Sequence, residues 1–471
     1  MLKTSEKGVI RFMEIIKKHS CSAFNLYIFL ILAAFEILMS FTFLGYVHIV
    51  PISVTFAYIP ILIAACVLGT AEATAVGVIF GAASMYKSTS GYTLAADKLF
   101  SPLLSGNPVG SVVLSIGARA LFGLAAGIIL KAAMRRRHSK TWVGVVSALS
   151  PQMHAFFVLL AMKMFFPENI LGYLKIPYLI VSNIISSVLC MIIMEIILKL
   201  KNNAFFGELK TAVDNSGSIS YIGSGKKNKF IAAFMIFAFG MTVAAALYFS
   251  NRMSYMLNMH DVHVSEEISG DLMHLQTQFM AAMLSLNIIS VVILILGYQY
   301  TSYKNFLGEL DAVTGVMGRR IFLNCCERAQ KRLDSENLRR GWFLFLDVDY
   351  FKSINDTLGH SVGDDVLREV ALTLKELFAD FGIAGRMGGD EFAVMIDKKE
   401  LSERELCDML DIFLLRIENI SEQHKVSCSI GVCRFDFPAD MTRLMDKTDE
   451  LLYRAKENGR ACYVIGEYDG E

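Results

Sequence analysis

The sequence predicts a multi-domain membrane protein: a polytopic α-helical bundle of about eight spans, followed by a cytosolic α/β domain. Three observations carry this. The chain of 471 residues is 54% apolar with a mean hydropathy of +0.46, too apolar for a soluble protein of that length. Runs approaching the ~20 apolar residues that a span needs recur between 24 and 300. Beyond them, short β-rich runs such as WFLFLDVD (342–349) and VSCSIGVCRF (426–435) alternate with stretches of helical periodicity. The formal net charge of +0 gives no reason to expect nucleic acid as a partner.

The candidate spans are 24–47, 51–68, 70–87, 109–131, 143–166, 176–199, 229–250 and 279–300. Lys3, Lys7, Arg11, Lys17 and Lys18 precede the first; Arg135, Arg136, Arg137 and Lys140 follow the fourth; Lys199 and Lys201 follow the sixth; Lys226, Lys227 and Lys229 precede the seventh. With the N-terminus inside, every cluster falls inside, and so does the C-terminal domain. This predicts a multi-pass protein of the cell membrane, in contact with lipid, with both termini cytoplasmic. The domain plan is then a cytosolic segment 1–23, a six-helix unit 24–200, a Gly/Ser/Asn-rich flexible linker 201–228, and a two-helix segment 229–300 with an outer loop 251–278. A signalling helix and output domain follow over 301–471. The first apolar run is long and lacks a small-residue cleavage site, so no cleavable signal peptide is expected. The nine cysteines show no metal-type CxxC pair and read as free thiols.

Glu36 and Arg119 lie at membrane depth, where charges are costly and are either functional or paired. They line a ligand cavity or pair with each other, or else snorkel or form a purely structural ion pair. His48, Asp97, Lys98 and Asn107 fall on outer loops, as ligand contacts or solvated loop residues. The outer loop carries His260, Asp261, His263, Glu266, Glu267, Asp271 and His274, a set that suits metal or pH sensing. Met256, Leu257, Leu272 and Leu275 favour an amphipathic helix there instead.

In the C-terminal third, RMGGDEFAVM (386–395) reads as strand, glycine turn and strand. Gly388 and Gly389 let the backbone turn sharply and let a ligand come close. Asp390 and Glu391 on such a turn suit a hard divalent cation and, through it, a nucleotide phosphate; the bland alternative is a solvated hairpin tip. WFLFLDVD delivers Asp347 and Asp349 to a strand end, where ligands collect in open α/β sheets. Asn355, Asp356, Gly359, His360, Gly363 and Asp364 form a polar stretch before a helix marked by Val366, Leu367, Val370, Leu374 and Leu377. Lys456 and Arg460 lie four apart near the end of another helix, as phosphate contacts or as surface charges.

Residues 309–468 resemble the GGDEF family of diguanylate cyclases through LDAVTGVMGRRIF, FLDVDYFKSINDTLGHSVGDDVL, RMGGDEF, SIGV and YRAKENGR. The resemblance implies a nucleotidyl-cyclase-like domain with a central, mainly antiparallel sheet that joins two GTP into cyclic di-GMP with release of two pyrophosphates. It implies that Asp347, Asp390 and the carbonyl of Val348 hold Mg²⁺ or Mn²⁺, with Glu391 sharing the metal or base role. Asn355 and Asp364 would read guanine; Lys352, Lys456 and Arg460 would meet phosphates; Gly388 and Gly389 would lie under the nucleotide. One domain holds one GTP, so catalysis implies a homodimer. The family's Arg-x-x-Asp product-inhibition site maps to Ala379, Asp380, Phe381 and Gly382, so no such site is expected. The opening motif lacks the family's usual Pro, with Ala312 in its place.

Residues 24–200 resemble the S component of energy-coupling-factor vitamin transporters. The features are Gly69, Gly77, Phe80, Gly81 and Ser84, then FSPLLSG (100–106) and GARALFGLAAGIIL (117–130). This implies capture of a small vitamin-like ligand from outside. The first span has Ala33 and Ala34 but lacks the Ala-x-x-x-Ala face that docks the transport module. The sequence therefore reads as a bacterial membrane receptor with a cyclase output. The alternatives are a non-catalytic GTP-binding receptor and a vitamin-transporter subunit fused to a signalling domain.

Overall fold

A polar cap ahead of an apolar run starts the first helix. The Ser22 hydroxyl accepts from Asn25 N at 3.4 Å, satisfying one of the free N–H groups of α1 (Ala23–Phe41). The computed structural model describes residues 22–49, 52–91, 93, 97–169, 176–215, 225–260, 265–333, 340–397, 401–420, 426–436 and 439–468. Most of the expected segment 1–23, and Asp261 and His263 of the outer loop, lie outside these. The chain divides into two units, one holding Cys21–Asp214 and Ser224–Tyr300, the other holding Thr301–Glu471.

In the first unit α1 is followed by an antiparallel hairpin, β1 (Tyr46–Ile49) and β2 (Ile52–Thr55). Helices α2 (Ile59–Val67), α3 (Thr70–Lys87), α4 (Pro108–Met134), α5 (Ser139–Phe165) and α6 (Ile176–Lys201) come next. Then come α7 (Ala204–Asp214), α8 (Gly225–Met259) and α9 (Glu266–Gly308). Asn107 caps α4, its side chain accepting from Gly110 N at 3.0 Å.

Among the described residues six helices, not eight, are long and apolar enough to cross a membrane: α1, α4, α5, the Asn183–Lys201 part of α6, Ala233–Leu257 of α8, and α9. The expected span 51–68 fails because its β-branched first half pairs as a hairpin and its second half is a nine-residue helix begun by Pro60. The expected 70–87 span is a helix over those residues, but its Gly, Ser, Thr and Glu content keeps it below the apolarity of the others.

The expected linker is also partly helical. The α7 helix returns to α1: Asp214 accepts from the Ser22 hydroxyl at 2.8 Å and from Phe24 N at 3.2 Å. Phe206 meets Phe24 edge to face at 5.1 Å. Much of the expected outer loop is helical too, within the ends of α8 and α9.

Two glycine pairs set the closest helix contact in this unit. Gly77 and Gly81 of α3 face α4, and Gly123 and Gly127 of α4 face α3. A Cβ on Gly77 would strike the Arg119 carbonyl; one on Gly81 would sit 2.5 Å from Ile116 Cα, and one on Gly123 2.5 Å from the Ala73 carbonyl. Such small-residue spacing lets two apolar helices touch backbone to backbone, where dispersion rather than water exclusion holds them. Gly123→Leu is expected to lower the detergent-solubilised melting temperature through overpacking of about 1–3 kcal/mol. An unchanged melting temperature would mean this contact is dispensable.

The second unit is a six-stranded sheet in the order β3-β5-β6-β4-β7-β8. Its strands are β3 (Met317–Gly318), β4 (Arg340–Val348), β5 (Gly382–Gly388), β6 (Glu391–Ile396), β7 (Cys428–Asp436) and β8 (Tyr463–Glu467). The central pairings β5–β6, β6–β4 and β4–β7 are antiparallel. Both edge pairings, β3–β5 and β7–β8, are parallel, so the sheet is mixed rather than simply antiparallel. Its helices are α10 (Arg319–Leu333), α11 (Phe351–Leu358), α12 (His360–Phe378), α13 (Glu403–Glu418) and α14 (Met441–Glu457).

The continuous apolar run of β4 serves two faces, because strand side chains alternate. Leu344 and Leu346 pack with Val366, Leu374, Leu410 and Phe413 of α12 and α13. Phe343 and Phe345 pack with Ile321, Phe322, Leu444 and Leu451 of α10 and α14. Covering both faces forces the loops at the end of β4 to carry the polar groups.

Candidate active site

At the end of β4 the alternation places Asp347 and Asp349 on one face. Asp347 stands opposite Glu391 of β6 and Ser429 of β7. Asp349 is buried, and its carboxylate accepts from the Ser427 hydroxyl at 2.7 Å, the Ser429 hydroxyl at 2.6 Å and Ala461 N at 3.2 Å. Its own N–H donates to the Ser427 carbonyl at 2.9 Å. This one side chain ties β4, β7 and the loop after α14 together. Lys456, in the last turn of α14, thereby reaches Asp347, with Nζ 2.9 Å from Oδ2.

The turn between β5 and β6 is made by Gly388 and Gly389 at φ 156° and 52°, values that L side chains rarely adopt. Val348 N donates to the Asp390 carbonyl at 3.3 Å, fixing the turn beside the end of β4. Arg386 holds it from the other side. Its Nε donates to the Gly389 carbonyl at 2.9 Å, and its guanidinium also donates to Asp311 Oδ1 at 2.8 Å. Asp311 takes the Thr314 N–H and hydroxyl as well, at 2.9 and 2.7 Å. Burial would raise the Asp311 carboxyl, but the Thr314 and Arg386 donors outweigh it and hold it below its usual range.

The remaining predicted residues lie on the next two helices and the last loop. Asn355 of α11 fits against α12 only because position 363 is glycine; a Cβ there would strike Asn355 Oδ1. Asp364, one residue on, lies 3.9 Å from Arg368. Lys352 is exposed in the first turn of α11. Arg460, at φ 66°, lays its guanidinium 4.6 Å over the Tyr350 ring. The structure therefore gathers Asp347, Val348, Asp390, Glu391 and Lys456 at the ends of the central strands β4 and β6, and sets Asn355 and Asp364 on the paired helices that follow. Two features went unread in the sequence: the clip made by Asp349, and the Asp311–Arg386 bridge. The only signals were the i, i+2 carboxylates of LDVD and the Arg two residues before the glycine pair.

Electrostatics at these strand ends are unbalanced. Burial pushes the Asp347 carboxyl up; Lys456 opposes this, and the charges of Asp390 and Asp349 add to it. Burial and the charges of Asp347, Asp390 and Asp449 likewise raise Glu391. Among the described residues no three acidic, imidazole or thiol side chains already form a closed metal site. All-oxygen donors that repel one another do, however, fit a hard divalent cation that retains open positions.

Two outcomes follow. A carboxyl raised in the folded state binds more protons folded than unfolded in that window, so stability falls as pH rises through it. Asp347→Asn, neutral at every pH, is expected to raise the melting temperature of the cation-free protein at pH 7. A lower melting temperature would show that the Lys456 pair dominates. Asp349→Ala leaves three donors without their acceptor and is expected to cost about 3 kcal/mol or more, at about 1–3 kcal/mol for each unsatisfied buried group. Denaturant unfolding followed at the buried Trp342 checks this; a loss under about 1 kcal/mol would contradict the clip.

Residues 309–462 match the family profile described as "Diguanylate cyclase, GGDEF domain". Diguanylate cyclase DgcS of Shewanella oneidensis is 32% identical over 159 residues, covering 33% of this chain and 52% of that protein. Probable diguanylate cyclase DgcI of Escherichia coli is 39% identical over 163 residues, 34% of each. The chain thus spans about half or less of the length of these relatives. A solved structure of the coiled coil and GGDEF domain of DgcB from Caulobacter crescentus, in complex with c-di-GMP, covers 38% of this chain and 95% of that one, with 23% identity and a TM-score of 0.34.

Proposed function

We propose that the chain is a membrane-bound diguanylate cyclase that makes cyclic di-GMP from two GTP under the control of its membrane unit. The observation that carries this is the crowding of Asp347, Asp390 and Glu391 at the ends of β4 and β6, with the Asp347 and Glu391 carboxyls raised and Lys456 beside Asp347. The identity to named cyclases over the same residues supports it.

In this reading Asp347, Asp390 and the Val348 carbonyl hold Mg²⁺ or Mn²⁺, with Glu391 alongside. When bound, such a cation neutralises charge developing on the phosphates and lowers the pKa of the attacking hydroxyl. Asn355 and Asp364 bind the guanine edge, the amide donating and accepting and the carboxylate accepting. Lys456, Arg460 and Lys352 meet the triphosphate, and the Gly388–Gly389 turn lets it lie against the backbone. A ribose 3′-oxygen of one GTP attacks the α-phosphorus of the other and pyrophosphate leaves. The reciprocal attack closes the ring, so two domains of a homodimer must face each other.

Product feedback at 379–382 has no place in this reading. Gly382 cannot be the missing Asp, because a Cβ there would collide with the Met395 carbonyl.

The long apolar helices suggest membrane insertion, and the Lys/Arg distribution favours cytoplasmic termini. A sensor role resembling a vitamin-binding S component is supported by polar groups buried in the first unit. Glu36 accepts from the Ser40 hydroxyl at 3.2 Å through Oε1, while its Oε2 and His154 Nε2 are buried with no hydrogen-bond partner among the described residues. The Arg119 guanidinium lies 4.8 Å over Phe100 and 5.3 Å over Phe80, and His154 stacks on Phe80 at 5.9 Å. A route outward from this cluster exists along α3. His274 of α9 stacks on Tyr86 at 4.3 Å, and Asp271 accepts from Gly91 N at 2.8 Å.

Asp390→Ala is expected to abolish cyclic di-GMP synthesis from GTP and a divalent cation, leaving the melting profile near wild type, because the side chain sits at a turn tip. Wild-type turnover in the variant would remove Asp390 from the metal site. Candidate vitamins added to the same assay test the sensor.

A further inference from the structure

A groove of about 740 Å³ runs between α5 and α6, within the size range of about 300–1,000 Å³ typical of ligand sites. Its walls are apolar, with Val145, Ala148 and Leu149 from α5 and Met191 and Leu198 from α6. Polar groups gather at one end only. Lys140 and Thr141 stand in the first turn of α5, and Lys199 and Asn202 at the end of α6. Lys199 is paired with Glu195 at 2.9 Å, and Lys140 stands close enough to act on Glu195 too. One acid therefore faces two lysines, and the exposed Arg135, Arg136 and Arg137 lie on the turn just before α5.

The length of the groove is informative. From Lys140 to Leu149, and from Asn202 back to Met191, the walls run about 13–16 Å at 1.5 Å per helical residue. That is about one leaflet of a hydrocarbon core some 30 Å thick. Leu149 and Val145 remain 59% and 44% exposed, so the walls are not already covered by protein.

We propose that this groove holds an acyl chain of an acidic phospholipid, whose phosphate meets Lys140 and the arginines of the α4–α5 turn. Basic pockets between membrane helices on one side of the bilayer are suited to such headgroups. The proposal rests on the reading that α5 and α6 lie in the membrane. Charge selects this occupant over a zwitterionic lipid, because among the described residues Glu195 is the one acidic side chain set against the cations at the mouth.

Trp142, half exposed in the first turn of α5, provides the readout; Trp342, the other tryptophan, is buried in the other unit. The full chain is reconstituted into phosphatidylcholine vesicles carrying equal low mole fractions of brominated phosphatidylglycerol or brominated phosphatidylcholine. Flotation of the vesicles is checked first: a chain that does not float with them overturns the membrane reading itself. The proposal predicts about fivefold preferential quenching by the acidic lipid, the scale of one surface cation acting on an anionic headgroup. Trp142→Phe must remove that quenching. Lys140→Gln with Arg135→Gln, Arg136→Gln and Arg137→Gln must equalise the two lipids, and Lys140→Arg with Arg135→Lys, Arg136→Lys and Arg137→Lys must retain the preference. Equal quenching of the unaltered chain by both lipids, or a preference that survives the glutamine variant, overturns the proposal while leaving the membrane reading intact. No quenching by either lipid overturns it in favour of a second copy of the chain seated on this face.

Discussion

The buried carboxylate of Asp349 is the constraint on which the candidate site depends. Two serine hydroxyls and one backbone N–H converge on it from β7 and from the loop after α14. A buried charge is tolerable only when fully hydrogen-bonded, and meeting that demand draws two separate chain segments to the end of β4. Asp347 then faces the glycine turn, and Lys456 arrives from a helix more than a hundred residues later in the chain. The site is assembled by satisfying a carboxylate whose bonds all go to protein donors.

Beside that fully bonded carboxylate lie others crowded by like charge. Asp347 and Glu391 are raised by burial and by each other's neighbours. Such an arrangement costs folding stability and is relieved by a cation, a pattern expected where binding rather than stability sets the residue. Arg386 and Asp311 brace the turn from the far side, so the turn carrying Asp390 is held at both ends while its tip is open to solvent.

Much of this was legible in the sequence, because its signals are local. The apolar run 342–346, the 3.6-residue period after Asp364 and the Gly-Gly turn each mark one element, and the resemblance to cyclases joins them. What was not legible is long-range. Asp347 and Asp349 are indistinguishable as text, yet one is crowded by charge and the other is fully bonded. The run 51–68 is apolar enough to pass for a span, and only the pairing of 52–55 with 46–49 reveals that it opens on a hairpin. The helix at 204–214 was hidden by the Gly/Ser-rich stretch that follows it, its amphipathic face meeting Phe24 far earlier in the chain. The parallel edge strands depend on how distant segments return to the sheet, which no local period encodes. His154 was passed over because a single histidine in an apolar run carries no signal of the aromatic rings around it.

The most direct test of the central claim is stoichiometry. The full chain in vesicles, supplied with GTP and a divalent cation, should release two pyrophosphates for each cyclic dinucleotide formed, with the rate per protein falling as the protein is diluted in the bilayer and dimers separate. GTP that binds but is recovered unchanged, with no pyrophosphate released, would contradict the account and leave a nucleotide-binding receptor in its place.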